Sequence, residues 1–300
     1  MTPDTLRGKL QGVIAFPVTP FHTDLSLDLE GLRRNLRALL RHPVCAVVAA
    51  AGTGEFHSLS PAEHLAVVTT VVEEVKGSRP VLAAAGFNPP LAAGQARQAA
   101  AAGANGILAF PPYYPNADDD GLLAYYRGIA DATPLGMIIY SRDWFNPGPA
   151  LVERLAKMPT LIAWKDGQGD ARRLQILKQR VGDRLHWIGG VGDDAVPAYY
   201  SLGLRTYTSS IANVAPKLSL RLHELASAGS SPELTALMND LVIPLYELRG
   251  RRKGYEVSVM KVMMDLLGQT GGPVRPPLAA IAEADRELIK KRLELWRPWV

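Results

Sequence analysis

Short apolar runs alternate with longer amphipathic stretches over the first two thirds of the chain. The runs fall at 13–18, 44–50, 81–85, 106–110, 136–140, 161–165, 185–188 and 205–209. Each is of strand length and most are apolar at consecutive positions, the pattern of strands buried on both faces in a parallel sheet; 205–209 is more polar and is read as the eighth from its place in the alternation. Helical periodicity fills the intervals. At 29–41, Leu32, Leu36, Leu39 and Leu40 share one face behind Asp28, an N-cap residue. Ser60-Pro61-Ala62-Glu63 reads as a capping box with proline at the first helical position. An alanine-rich helix at about 91–102 ends at Gly103, and further helices are expected at 120–132, 150–157, 170–181 and 194–202. Eight strand–helix units predict an α/β chain folded as a (β/α)8 TIM barrel, with its site at the C-terminal ends of the strands. A doubly wound open sheet is the alternative, but the glycine-rich turns lack the dinucleotide-binding spacing.

After about residue 215 the strand pattern stops. Helical patterns at 217–228, 232–248, 257–267 and 283–295 surround an irregular break, Gly271-Gly272-Pro273-Val274-Arg275-Pro276-Pro277. The expected organisation is a barrel core over residues 1–215, with the last barrel helix running to about 229. Residues 216–300 form a helical extension packed on the barrel. Pro111-Pro112-Tyr113-Tyr114 reads as a strand-ending loop rather than a peptide-module ligand.

Composition adds boundaries. Hydrophobic residues make up 47% and charged residues 21% of 300, enough for a large core. The net charge of +4 is spread along the chain except at Arg249-Gly250-Arg251-Arg252-Lys253, which reads as a solvated helix end rather than a nucleic-acid patch. The single cysteine, Cys45, excludes an internal disulfide and has no metal-ligand spacing around it, so no metal site is expected. No signal-peptide core stands in residues 1–9 and no apolar run has membrane-spanning length, so a soluble, cytoplasmic protein without membrane or nucleic-acid partners is expected.

The candidate chemistry centres on Lys165, at the end of the sixth run. A lysine there has its stem in the core and its amine at the barrel mouth. Burial disfavours the ammonium, and a neutral amine is what Schiff-base formation requires. The alternative is a lysine that snorkels at a sheet edge. The other strand ends bring Gly52-Thr53-Gly54-Glu55, Tyr113 and Tyr114, Tyr140-Ser141-Arg142, Gly189-Gly190, and Thr208-Ser209 to the same mouth. The Gly-Thr-Gly turn suits a carboxylate, through its backbone N–H groups and the Thr53 hydroxyl, or is simply a tight turn. Tyr140 can relay protons during imine formation or be a buried, hydrogen-bonded phenol. Arg142 is either a cation for a substrate carboxylate or an ion-pair partner of Asp143 or Asp166.

Thr19-Pro20-Phe21, Gly52-Thr53-Gly54-Glu55, Tyr140 and Lys165 together resemble the dihydrodipicolinate synthase / N-acetylneuraminate lyase superfamily, across nearly the whole chain. Within it, 50–56, Tyr140-Ser141-Arg142-Asp143, 165–170 and 272–277 are most similar to the 5-dehydro-4-deoxyglucarate dehydratase branch. The resemblance implies a class I lyase in which Lys165 forms the imine and Tyr140 shuttles protons, with no cofactor beyond that lysine. It implies that Thr53 and Gly54 hold the carboxylate beside the ketone of a small 2-oxo acid. Ser141, Arg142, Gly190, Thr208 and Ser209 are then expected at the substrate, and Asn213 as a structural residue. Arg142, Ser141 and Ser209 are the candidates for a distal carboxylate. It further implies a homo-oligomer, a dimer or tetramer, in which Tyr114 can enter a proton relay across an interface.

The chain departs from that branch at Ser141, where asparagine is usual, and at 189–194. Residues 211–216 and Tyr113-Tyr114 resemble the synthase branch instead. Against the synthase, Gly52 replaces a threonine and Phe145 stands in place of the substrate-binding arginine. A pyruvate-dependent aldolase or synthase is therefore the rival activity, and a non-catalytic ligand-binding barrel the rival of another class.

Overall fold

In the computed structural model, which describes residues 1–113 and 117–300, eight parallel strands close into a barrel in sequence order. They are β1 Gly12–Ala15, β2 Ala46–Ala49, β3 Val81–Phe87, β4 Gly106–Pro112, β5 Gly136–Ser141, β6 Leu161–Asp166, β7 His186–Gly189 and β8 Thr206–Ser209. The open-sheet alternative is thereby excluded. Each strand overlaps its apolar run. The expected ends shift by a few residues because the ladder stops where a neighbour turns away, which periodicity does not register.

The local signals act as read. Asp28 accepts from the Gly31 N–H, and Ser60 and Glu63 form a reciprocal capping box on Pro61–Val75. One expectation needs correction. The segment 232–248 is not one helix: Pro232–Leu237 is α-helical, Met238–Val242 is a π turn, and Ile243–Gly250 resumes. Pro244 has no N–H and its ring crowds the carbonyl four residues back, so a regular helix cannot pass through. The chain start, read only for targeting signals, also forms a helix, Pro3–Lys9, capped by Thr2. Its Leu6 and the following Leu10 are fully buried in the cluster that fills the barrel interior. Complete burial of a leucine contributes about 1.5–3 kcal/mol.

The outer core lies between the strands and the helical ring and runs without a break into the C-terminal helices, through Val242, Leu245, Val259 and Met260. A charged tether joins the same parts. Glu55, fully buried and with a left-handed backbone (φ 57°), stands directly after the Gly-Thr-Gly turn. Its Oε1 lies 2.5 Å from Lys261 Nζ, in the helix Tyr255–Leu266, and its Oε2 accepts the Arg275 N–H at 2.9 Å. The Arg275 guanidinium then holds both oxygens of Glu63, at 2.6 and 2.9 Å. A Cβ on Gly271 would stand 2.1 Å from the Lys261 carbonyl oxygen, so only glycine lets the C-terminal segment pass there.

Removing one partner of a buried pair strands the other charge. Lys261→Met is expected to lower stability by about 3–5 kcal/mol in urea unfolding, and adding Glu55→Gln should restore at least half of that loss.

Candidate active site

The strand ends surround a cavity of about 890 Å³ lined by Thr53, Tyr140, Arg142, Lys165, Gly190 and Thr208, among others. Lys165 sits on β6 in direct register with Tyr140 on β5. It is 4% exposed, with Nζ 3.6 Å from the centre of the Tyr140 ring and 4.3 Å from that of Phe16. Among the described residues no carboxylate lies within ion-pair distance of Nζ. Burial first, and the Arg142 guanidinium second, hold the Lys165 pKa well below the usual lysine range. The aromatic faces attract a cation and oppose this, but less strongly. The neutral amine, with its free lone pair, is thereby favoured over the ammonium relative to a lysine in water.

Backbone around the lysine leaves no slack. A Cβ on Gly190 would lie 2.5 Å from Lys165 Cγ, and one on Gly167 2.5 Å from Tyr140 Cε2. Asp166, the next residue, accepts the Tyr199 hydroxyl at 2.8 Å and the Gly169 N–H at 3.0 Å, which locks the turn after β6. The Tyr140 hydroxyl donates to the Gly190 carbonyl at 3.1 Å, and burial raises its pKa while Arg142 opposes that shift. A phenol so placed, beside an amine, can hand a proton to an oxygen leaving the same carbon.

Not every expected residue reaches the cavity. Thr53 does, whereas Gly54 supports the turn from behind: its carbonyl accepts the Thr19 hydroxyl at 2.7 Å. Arg142 is open to the cavity, with Nη1 3.7 Å from where a Gly52 Cβ would be and Nε 3.3 Å from Asp143 Oδ2. It thus stands beside the Gly-Thr-Gly turn while pairing with Asp143, and it does not pair with Asp166. Ser141 is a correction: it is 1% exposed, does not line the cavity, and donates to the Phe145 carbonyl at 3.0 Å. The preceding Tyr140 faces inward, and alternation along a strand sends Ser141 outward. Ser209 borders the cavity, but its hydroxyl donates to Asp193 Oδ1 at 2.5 Å. Thr208 faces the interior with only a long 3.4 Å bond to the Gly189 carbonyl. Asn213 closes the β8 end through Phe16 and Val18 backbone groups, as a structural residue should. Tyr114 lies outside the described residues.

Sequence reasoning missed the far wall. Asp193 is 1% exposed, and burial raises its pKa to about 6. Its Oδ2 accepts the Tyr246 hydroxyl at 3.1 Å. Tyr246 and Arg249, from the helix Ile243–Gly250, also line the cavity. Arg249 is 7% exposed, so the reading of 249–253 as a solvated end holds for Arg251, Arg252 and Lys253 but not for Arg249. The π turn that sets its direction leaves no mark in the apolar pattern.

The Lys165 pKa has a direct consequence. Imine formation should rise with pH as the ammonium loses its proton and level off above a midpoint well below that of free lysine. Arg142→Met removes a nearby positive charge, so that midpoint should move to higher pH in borohydride-trapping rates measured from pH 5 to 10. A midpoint that stays in place would remove Arg142 from this role.

Comparison with known proteins agrees with this geometry. The model of the dihydrodipicolinate synthetase family matches residues 9–295. A protein of Ralstonia nicotianae named probable 5-dehydro-4-deoxyglucarate dehydratase is 40% identical over 277 residues, 91% of this chain and 89% of its own. One of the same name from Rhizobium meliloti is 36% identical over 301 residues, covering 99% and 100%. Among solved structures, dihydrodipicolinate synthase from Oceanobacillus iheyensis superposes with a TM-score of 0.93 at 27% identity, covering 99% of both chains. With the family model spanning nearly all of its length, and the barrel and its relatives in accord, the chain belongs to the dihydrodipicolinate synthetase family.

Proposed function

We propose that this protein is a Schiff-base lyase that dehydrates and decarboxylates 5-dehydro-4-deoxyglucarate to 2,5-dioxopentanoate, water and carbon dioxide. The observation that carries this reading is the buried Lys165 amine against Tyr140, with no ion-pair partner and a pKa held down by burial, in a chain 36–40% identical to proteins named for that dehydratase.

In this scheme the substrate carboxylate beside the ketone sits at Thr53, with Arg142 next to it. The Lys165 amine adds to the ketone carbon. Tyr140 returns a proton to the carbinolamine oxygen, which leaves as water and gives a protonated imine. That imine acidifies the neighbouring C–H, and loss of its proton forms an enamine. The enamine electron pair expels the hydroxyl one carbon further on, leaving an imine conjugated to a carbon–carbon double bond. The bond to the distal carboxylate then breaks. Its electrons move through the double bond to the imine nitrogen, and carbon dioxide departs. Protonation and hydrolysis release the product and restore the amine. Lysine supplies the electron sink, so the scheme calls on no external cofactor.

The synthase reading is the weaker one. Its arginine position is filled here by Phe145, which is 1% exposed and packed between Tyr126 and Trp164, with ring centres at 5.3 and 6.1 Å.

Mass spectrometry after borohydride reduction should show a covalent adduct with 5-dehydro-4-deoxyglucarate, absent in Lys165→Ala. Turnover should release one carbon dioxide per substrate, and Tyr140→Phe should slow it by about 10²–10⁴-fold. An adduct that persists in Lys165→Ala, or turnover without carbon dioxide, contradicts the proposal.

A further inference from the structure

The substrate proposed above carries a carboxylate at each end. Of the three groups that the sequence offers for the distal one, Ser141 points out of the cavity and Ser209 is bound to Asp193. Arg142 stands beside Gly52, on the side of the ketone-proximal carboxylate. The opposite wall holds a cation that the reaction scheme has not used. Arg249 lines the cavity and is 7% exposed, yet its Nε and Nη1 are buried without any hydrogen-bond partner.

A guanidinium has five donors and no way to shed its charge, so leaving two of its nitrogens buried and unpaired is costly. Asp193 and Asp194 feel the Arg249 charge, which opposes the rise that burial causes in their pKa, but neither forms an ion pair or hydrogen bond with it. Among the described residues no carboxylate lies within ion-pair distance of Arg249, and both oxygens of Asp193 are engaged, by Ser209 and by Tyr246. What holds the guanidinium is the Tyr246 ring, 4.7 Å from its centre. Tyr246 is itself held at both ends of its hydroxyl, accepting the Asp193 N–H at 2.6 Å and donating to Asp193 Oδ2. Tyr246 and Arg249 are three apart and share a helix face. The π turn at Met238–Val242, immediately before Pro244, sets the direction of that face. Such turns recur at functional sites, because the wide turn re-aims every residue after it.

We propose that Arg249 binds the substrate carboxylate remote from the ketone, and so selects 2-oxo dicarboxylates over 2-oxo monocarboxylates. The inference rests on the lyase reading above. The Arg249 guanidinium lies over the Tyr246 ring in the cavity wall, and a planar guanidinium can take a carboxylate in a bidentate manner. An occupied site would satisfy the guanidinium only when the right substrate is present. Arg249 takes no part in proton transfer in this scheme. It anchors the end of the chain from which carbon dioxide leaves.

The test is concentration-dependent borohydride trapping of wild type, Arg249→Gln and Arg249→Lys with 2-oxoadipate and with 2-oxohexanoate. The two probes share the ketone and chain length, and only the first has a distal carboxylate. Wild type is expected to trap 2-oxoadipate at lower concentration. In Arg249→Gln that preference should fall roughly 10- to 100-fold, carried by the dicarboxylate, with Arg249→Lys between the two. A preference unchanged within twofold in Arg249→Gln overturns the assignment while leaving the imine chemistry standing. Equal loss of both adducts in both variants makes Arg249 a structural residue and overturns it as well. If wild type forms no adduct with either probe or with 5-dehydro-4-deoxyglucarate, the lyase reading fails and this inference falls with it.

Discussion

The site depends on holding down the pKa of one amine by burying it at the floor of the barrel mouth. Lysine is a poor nucleophile in its usual protonated state, and the fold disfavours that state by burying the group without an anionic partner. β6 carries Lys165 into the barrel with 4% exposure, places aromatic rings around Nζ, and sets a guanidinium rather than a carboxylate nearby. The close backbone at Gly190 and Gly167 and the Asp166–Tyr199 bond then remove the freedom with which a long side chain would escape to solvent. Reactivity here is stored as an unfavourable solvation free energy, held in place by packing.

Lys261 shows what the same group does when it is compensated. It is 1% exposed and burial lowers its pKa too, but Glu55 stands 2.5 Å away and works against that shift. With its donors committed to Glu55 and the Pro273 carbonyl, this amine is a fastener. It fixes the residue that follows Gly52-Thr53-Gly54 and so sets where the turn points. In the proposed scheme the lysine without a neighbouring carboxylate reacts, and the one beside Glu55 holds.

This contrast explains what could be read from the residues alone. Apolar run length, capping boxes and the lysine at the end of 161–165 are local signals. They identified all eight strands, the barrel, and Lys165 with Tyr140 as neighbours. Strand alternation is equally local, and it would have pointed Ser141 away from Tyr140 had it been applied to that pair. The partners that lie far off in sequence were hidden. Glu55 meets Lys261 and Arg275, and Asp193 meets Tyr246, because the C-terminal helices fold back over the barrel mouth. No periodicity within a segment encodes such a meeting. The π turn before Pro244 is hidden for a related reason: a single extra residue per turn reorients Arg249 without changing the composition around it.

The division has a physical logic for how one barrel serves different substrates. Imine chemistry needs a dry amine, a proton carrier and a carboxylate turn, and all three stand on strands or immediately after them, where a closed hydrogen-bonded ladder fixes position most tightly. The far end of a substrate touches none of these. It meets the wall contributed by the helix Ile243–Gly250, where Tyr246 and Arg249 can be exchanged without disturbing the ladder. Elements outside the barrel can therefore alter what is selected while the strand ends preserve how it reacts. In this chain the outer wall presents a buried cation on an aromatic ring, a combination suited to a second negative charge and ill suited to an apolar tail.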